Sequence, residues 1–276
     1  MPLLVTSSMS LASLYVEALF DETVLSSATA FYWLKPGFGT PHLITNWHVV
    51  SGRNAEDGSC LSKTGGVPNQ LRVYSQPAGP SKDAYIYTIP LIVDSKQQWI
   101  EHPEGRKVDV VAIPLLYAPL YEPEFSTYPI NANPNVFYAD IQTVVTSEVF
   151  ILGYPNGFRH KPWFPIWKRG TIATEPYIDF DERPIFLVDA LTRASMSGSP
   201  VIQMSNSNYI NSYGEVEFNG SQNVKFLGIY SGRIDSSRVR EGIIYEGAEL
   251  GRVFRREVIG EILDDSMMAR FGKEIS

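Results

Sequence analysis

The chain has 276 residues, 44% hydrophobic and 19% charged, with a formal net charge of −7. That balance excludes a disordered chain. The acidic surplus speaks against a broad footprint for nucleic acid or for an anionic membrane surface.

In chain order, residues 1–20 carry no lysine or arginine and include Glu17, so no charged start leads into a clean apolar segment and no signal peptide is expected. Leu11, Leu14, Ala18 and Leu19 stand at helical spacing, which predicts a short N-terminal helix over 11–20. Beyond Asp21-Glu22 the pattern changes to short apolar runs at 28–34, 42–45, 71–74, 84–92, 108–116, 144–152, 185–188, 200–203 and 224–231. Turn formers such as Lys35-Pro36-Gly37, Ala78-Gly79-Pro80 and Pro155-Asn156-Gly157 punctuate them. Such runs, rich in β-branched and aromatic residues, predict an all-β, antiparallel fold. The composition shifts near Asn131-Ala132-Asn133, which sets an expected boundary between two β units, 1–130 and 131–276.

Residues 253–271 read as a C-terminal helix with an apolar stripe of Val258, Ile259, Ile262 and Leu263, expected to pack on the second β unit. The aromatic residues Tyr154, Phe158, Trp163, Phe164 and Trp167 read as packing under a loop of that unit, with stacking on a ligand as the alternative. The longest apolar stretch, 108–121, is broken by Asp109, Pro114 and Pro119, so no bilayer span is expected. Cys60 is the only cysteine and sits in a polar loop context; no internal disulfide is possible. A lone thiol suits a reducing compartment, so the expectation is a cytoplasmic protein.

Three stretches carry chemistry. They are Thr45-Asn46-Trp47-His48-Val49-Val50, Lys107-Val108-Asp109-Val110-Val111-Ala112 and Ser195-Met196-Ser197-Gly198-Ser199-Pro200. Taken singly, each has a plain structural reading: a core histidine, a strand-edge aspartate, a serine in a turn. Taken together, they offer one group for each role in nucleophilic catalysis. A serine hydroxyl is a weak nucleophile that needs a base, and the base needs an acid to orient it. An aspartate beside Val-Val-Ala-Ile is costly to bury unpaired, so it needs a partner. His42, His102 and His160 lack such companions, and their spacing suggests no metal site.

These three motifs resemble, in order and spacing, the histidine, aspartate and nucleophile motifs of trypsin-like (chymotrypsin-fold) serine peptidases. The bacterial high-temperature-requirement and glutamyl-endopeptidase branches are the most similar. Asp189-Ala190 ahead of Ser197, Leu152-Gly153-Tyr154-Pro155 and Phe226-Leu227-Gly228-Ile229 fit the same pattern, over roughly residues 24–265. The resemblance implies two six-stranded antiparallel β-barrels with the active site in the cleft between them. It also implies catalytic His48, Asp109 and Ser197, an oxyanion hole from the N–H groups of Ser195 and Ser197, and no cofactor or metal. The substrate would be a protein or peptide, and oligomeric state is left open.

One departure stands out. The family usually has Gly-Asn before the nucleophile, and this chain has Ser195-Met196. A serine resists the sharp backbone bend there, at a cost of about 1 kcal/mol. Two expectations follow: a hole that forms regardless, or a latent enzyme with low basal activity. The same departure leaves open an alternative of another class, a degenerate domain that binds a protein or peptide without cutting it. The resemblance places the substrate pocket at Leu191, Thr192, Tyr230, Ser231, Gly232 and Arg233. No acidic residue stands six before Ser197, so cleavage after Lys or Arg is not expected.

Overall fold

A computed structural model describes residues 8–35, 37, 41–75, 83–120, 122, 125–132, 139–159, 163–218, 222–234, 239–240, 243–244 and 249–264. Antiparallel β structure dominates. The first sheet has seven strands in the order Tyr85–Pro90, Gln70–Ser75, Ser13–Phe20, Thr23–Trp33, His42–Thr45, Val111–Pro114, Ile100–Glu101. The second closes into a six-stranded barrel in the order Glu148–Gly153, Ile166–Ile172, Ile185–Asp189, Leu250–Arg255, Asn223–Arg233, Pro200–Ser205.

The expectation of two closed barrels is thus corrected: one barrel closes and one sheet stays open. Closure needs the two edge strands to meet in register. In the first sheet the edges are Tyr85–Pro90 and the two-residue strand Ile100–Glu101, and these do not pair.

The N-terminal helix over 11–20 is also corrected. Only Ser8–Ala12 is helical, and Ser13–Phe20 is a strand buried on both faces. Leu14, Val16 and Ala18 enter the core of the first sheet. Ser13 and Tyr15 face the other way, and Ser13 Oγ donates to the Leu152 carbonyl at 2.8 Å. Leu14, Val16 and Ala18 alternate with Ser13, Tyr15 and Glu17, but over so short a run Leu11, Leu14, Ala18 and Leu19 also match a helical period, and that match prevailed.

At the C-terminus, Leu250–Arg255 is a strand that pairs with both Ile185–Asp189 and Asn223–Arg233 and completes the barrel. The helix occupies Glu257–Ile262, and residues 265–271 of the expected helix lie outside the described residues. Its stripe of Val258, Ile259, Ile262 and Leu263 is buried as expected. It packs in a core shared with Phe31, Ile44 and Ala112 of the first sheet, with Val110 beside it, and with Ile202, Phe226 and Phe254 of the barrel. This shared core fixes the two sheets against each other, and the loops described next lie along their junction.

The aromatic residues bridge the same junction. Trp163 stacks on Tyr74 with ring centroids 5.2 Å apart, and the buried Tyr154 hydroxyl donates to the Ser13 carbonyl at 3.1 Å. Phe158 is exposed. Among the described residues no helix is long and apolar enough to cross a membrane.

Candidate active site

The strand His42–Thr45 ends at Asn46, and a single helical turn, Trp47–Ser51, follows, stopped by Gly52 in the left-handed conformation (φ 65°). This turn sets His48 at the junction. Asn46 Nδ2 donates to the Asp109 carbonyl at 2.6 Å, tying the histidine turn to the aspartate segment. Asp109 is buried. Its Oδ1 accepts the His48 backbone N–H at 2.9 Å and its Oδ2 lies 2.7 Å from His48 Nδ1. The same Oδ2 accepts the Ser231 hydroxyl at 2.6 Å. The carboxylate therefore meets three donors, which offset the cost of burying its charge.

Ser231 reaches Asp109 because the ladder between Asn223–Arg233 and Leu250–Arg255 shifts register between Tyr230 and Gly232, leaving Ser231 at a bulge. Bulges re-aim side chains in this way. Sequence analysis placed Ser231 only in the substrate-binding strand; the bond to Asp109 was missed, and its only signal was a serine before a glycine near a strand end.

Ser197 follows a bend in the segment between Ile185–Asp189 and Pro200–Ser205. Gly198 is at φ 83°, and a Cβ there would sit 2.0 Å from the Thr29 carbonyl oxygen, so only glycine fits. Its N–H donates to the Tyr230 carbonyl at 2.8 Å, and Thr29 N–H donates to the Ser197 carbonyl at 2.8 Å. Ser197 and His48 line one hollow of about 110 Å³ with Ser27, Val49 and Gly52. Ser197 Oγ donates to the Ser231 carbonyl at 3.4 Å, and no hydrogen bond joins it to His48.

Ser195 is at φ 68°, the left-handed region that glycine would occupy freely. Its hydroxyl lies 2.7 Å from Ser27 Oγ, and its carbonyl accepts Thr29 Oγ1 at 2.9 Å. The Ala194 carbonyl accepts Asn156 N–H at 2.7 Å. Among the described residues the backbone N–H groups of Ser195 and Ser197 have no hydrogen-bond partner. Met196 is buried in the barrel core against Val201 and Leu227, which accounts for an apolar side chain at that position.

Of the expected pocket residues, Thr192 and Tyr230 are buried and their hydroxyls are hydrogen-bonded at 2.5 Å. A Cβ on Gly251 would stand 2.4 Å from the Tyr230 ring. The ring therefore spans the space from Thr192 to the strand Leu250–Arg255. Burial raises the Tyr230 hydroxyl above its ordinary pKa, partly offset by the Thr192 hydrogen bond. Leu191 and Arg233 are exposed, and Gly232 is at φ 141°. Gly232 and Arg233 share a hollow of about 210 Å³ with His48 and Asp109, bordered by the Glu56–Arg183 and Glu56–Arg252 ion pairs. A larger hollow, about 620 Å³, lies between Tyr177, Lys225 and Glu257, and none of the expected site residues lines it.

His42 is buried with Nδ1 unpartnered, and burial together with Lys35 lowers its pKa to about 4. His102 Nε2 lies 2.6 Å from Glu261. His160 lies outside the described residues. Among the described residues no three His, Cys, Asp or Glu side chains cluster as metal ligands would. Cys60 is exposed and free.

Comparison with known proteins places this geometry in a family. A family profile described as a trypsin-like peptidase domain matches residues 28–209. No curated protein shows a significant match. Among solved structures, the active form of the Rv3671c protease from M. tuberculosis is similar at 18% identity and TM-score 0.47, over 93% of this chain and 81% of that one. Its inactive form gives 16% and 0.46, over 96% and 91%. The serine endoprotease from Yersinia pestis gives 12% and 0.48, over 98% of this chain and 68% of that one. With two thirds of its length matched by the profile, the chain belongs to the trypsin-like peptidase family and is a serine endopeptidase of that kind.

Proposed function

We propose that the chain hydrolyses peptide bonds through an acyl-enzyme on Ser197, with His48 as general base and Asp109 as its orienting acid. The observation that carries this reading is the 2.7 Å contact between His48 Nδ1 and the buried Asp109 carboxylate, with Ser197 across the same hollow. With Nδ1–H donated to Asp109, the lone pair lies on Nε2, the tautomer a general base requires.

Ser197 Oγ first turns from the Ser231 carbonyl to Nε2. It then adds to the substrate carbonyl carbon while His48 takes its proton. The oxyanion forms at the unpaired N–H groups of Ser195 and Ser197. Collapse breaks the C–N bond, and His48 returns the proton to the leaving amine. Water, deprotonated by His48, adds to the ester, and its collapse restores Ser197 and releases the acid.

The side chain before the cut is read beside Leu191, Thr192 and the 230–233 segment. Because the Tyr230 ring fills the depth behind Thr192, a small side chain fits best there, while Arg233 borders the entrance. Latency has one supporting observation, the resting bond of Ser197 to Ser231 in place of His48. The same observation is what favours the second reading, a domain that holds a peptide without cutting it. A division into units near residue 131 and a cytoplasmic setting, suggested by the lone Cys60, complete the proposal.

Turnover of a peptide library separates the two readings. Ser197→Ala and His48→Ala should each lower kcat by several orders of magnitude. Survival of more than a tenth of wild-type activity in either variant would exclude the mechanism.

A further inference from the structure

The residue at 195 carries a side chain in a backbone conformation that disfavours one, and the surrounding contacts explain how it is held. The strand Thr23–Trp33 runs beneath the nucleophile loop and grips it at several points. Ser27 Oγ shares a hydrogen bond with Ser195 Oγ at 2.7 Å, Thr29 Oγ1 donates to the Ser195 carbonyl at 2.9 Å, and Thr29 N–H donates to the Ser197 carbonyl at 2.8 Å. Thr45 Oγ1 in turn donates to the Thr29 carbonyl at 2.9 Å, so the gripping strand is fixed from the histidine side. Beside Ser27, the Tyr15 hydroxyl flanks Gly157 from the same side and donates to the buried Glu17 at 3.2 Å, and Glu17 is paired with Arg72 and Arg159.

A trans peptide points its C=O and N–H in opposite directions. With the Ala194 carbonyl committed to Asn156 N–H, the Ser195 N–H must point away from Asn156. With the Ser195 carbonyl committed to Thr29, the next peptide is fixed as well. Both peptides around Ser195 are thus locked by partners outside the loop, and the two N–H groups that remain unpaired are those of Ser195 and Ser197.

We propose that Ser27 and Thr29 are positioning residues for catalysis, holding Ser195 in its left-handed conformation so that its N–H is presented to the developing oxyanion. The Ser195 hydroxyl is then an anchor in place of the freedom a glycine would have, and the first sheet shapes the hole in the second. This rests on Ser197 being the nucleophile.

The test measures kcat and KM on one peptide substrate, and the rate of fluorophosphonate labelling, for wild type and the variants named below. Interactions made only in the transition state appear in kcat and leave KM alone. Ser27→Ala and Ser195→Ala should each lower kcat and the labelling rate about tenfold with KM within twofold. The double variant should be no slower than either single, because both remove one bond. Ser27→Thr, which keeps the hydroxyl, should retain most of the wild-type kcat. Thr29→Val should lower kcat in all backgrounds. A labelled, active wild type whose Ser27→Ala variant keeps kcat within twofold would overturn the clamp. So would losses that multiply in the double variant, or a change confined to KM. A wild type that neither turns over nor labels at Ser197 would overturn the nucleophile assignment and the clamp with it.

Discussion

Ser231 donates to the same oxygen of Asp109 that holds His48: Oδ2 receives the Ser231 hydroxyl at 2.6 Å and lies 2.7 Å from His48 Nδ1. The serine comes from the bulge in the barrel strand, the histidine from the helical turn after His42–Thr45 and the aspartate from the segment just before Val111–Pro114. One carboxylate oxygen therefore joins both halves of the molecule at the histidine we propose as the base. Ser231→Ala removes a charge-assisted bond and should lower kcat/KM about tenfold. Asp109→Asn leaves the wrong tautomer on His48 and should cost on the order of 10⁴ in kcat. Steady-state kinetics on a peptide substrate reads both, and equal effects of the two changes would contradict the division of labour.

The pocket account predicts altered selectivity. Tyr230→Ala removes the ring that reaches Thr192 and opens the space beside Gly251. Cleavage after large apolar residues should rise relative to cleavage after alanine by about tenfold, the worth of one or two methylenes in an apolar pocket. Library profiling of the variant beside wild type measures this ratio. An unchanged profile would show that Tyr230 does not bound the pocket.

Gly198→Ala should be severe. A Cβ there would lie 2.0 Å from the Thr29 carbonyl oxygen and 2.6 Å from Thr45 Oγ1, and the residue is at φ 83°. Neither neighbour can yield without losing the contacts that hold the loop, so destabilisation of about 2 kcal/mol or more is expected. Chemical denaturation of the two proteins compares their stabilities directly.

Acid should destabilise the fold through His42. Its pKa is lowered to about 4 in the folded chain, from an ordinary value near 6.5. Between these values the unfolded chain binds the extra proton, so stability is full above about pH 6.5 and declines as the pH falls toward 4. The loss amounts to about 3 kcal/mol. His42→Leu should flatten this part of the stability profile, and an unchanged slope between pH 6.5 and 4 would contradict the assignment to His42.

Much of this was legible in the sequence because the signals were local. The strand His42–Thr45 and the starts of Ile185–Asp189 and Pro200–Ser205 fall where short β-branched runs put them. The elements that misled are those whose burial is set by distant partners. Ser13–Phe20 is buried on both faces, with the polar Ser13 and Glu17 partnered by Leu152 of the barrel and Arg72 of the neighbouring strand, and Leu250–Arg255 lies next to a helical stripe that extended the apparent helix backward. The two open edges of the first sheet, Tyr85–Pro90 and Ile100–Glu101, lie close together in the chain, and whether they meet is decided by how the whole sheet curves, which no local pattern encodes. At the site, the three chemistry-bearing motifs announced themselves by residue type. The contacts of Ser27, Thr29 and Ser231 did not, since serines and threonines on strands are common and only a register shift or a crossing strand gives these their partners.

In the proposed mechanism His48 makes Ser197 nucleophilic by taking its proton. Mass-spectrometric mapping after treatment with a fluorophosphonate tests it most directly. A single adduct on Ser197 of the wild-type chain, lost in His48→Ala, is the expected result. An adduct on another residue, no adduct at all, or labelling of Ser197 that persists at the wild-type rate in His48→Ala would contradict it.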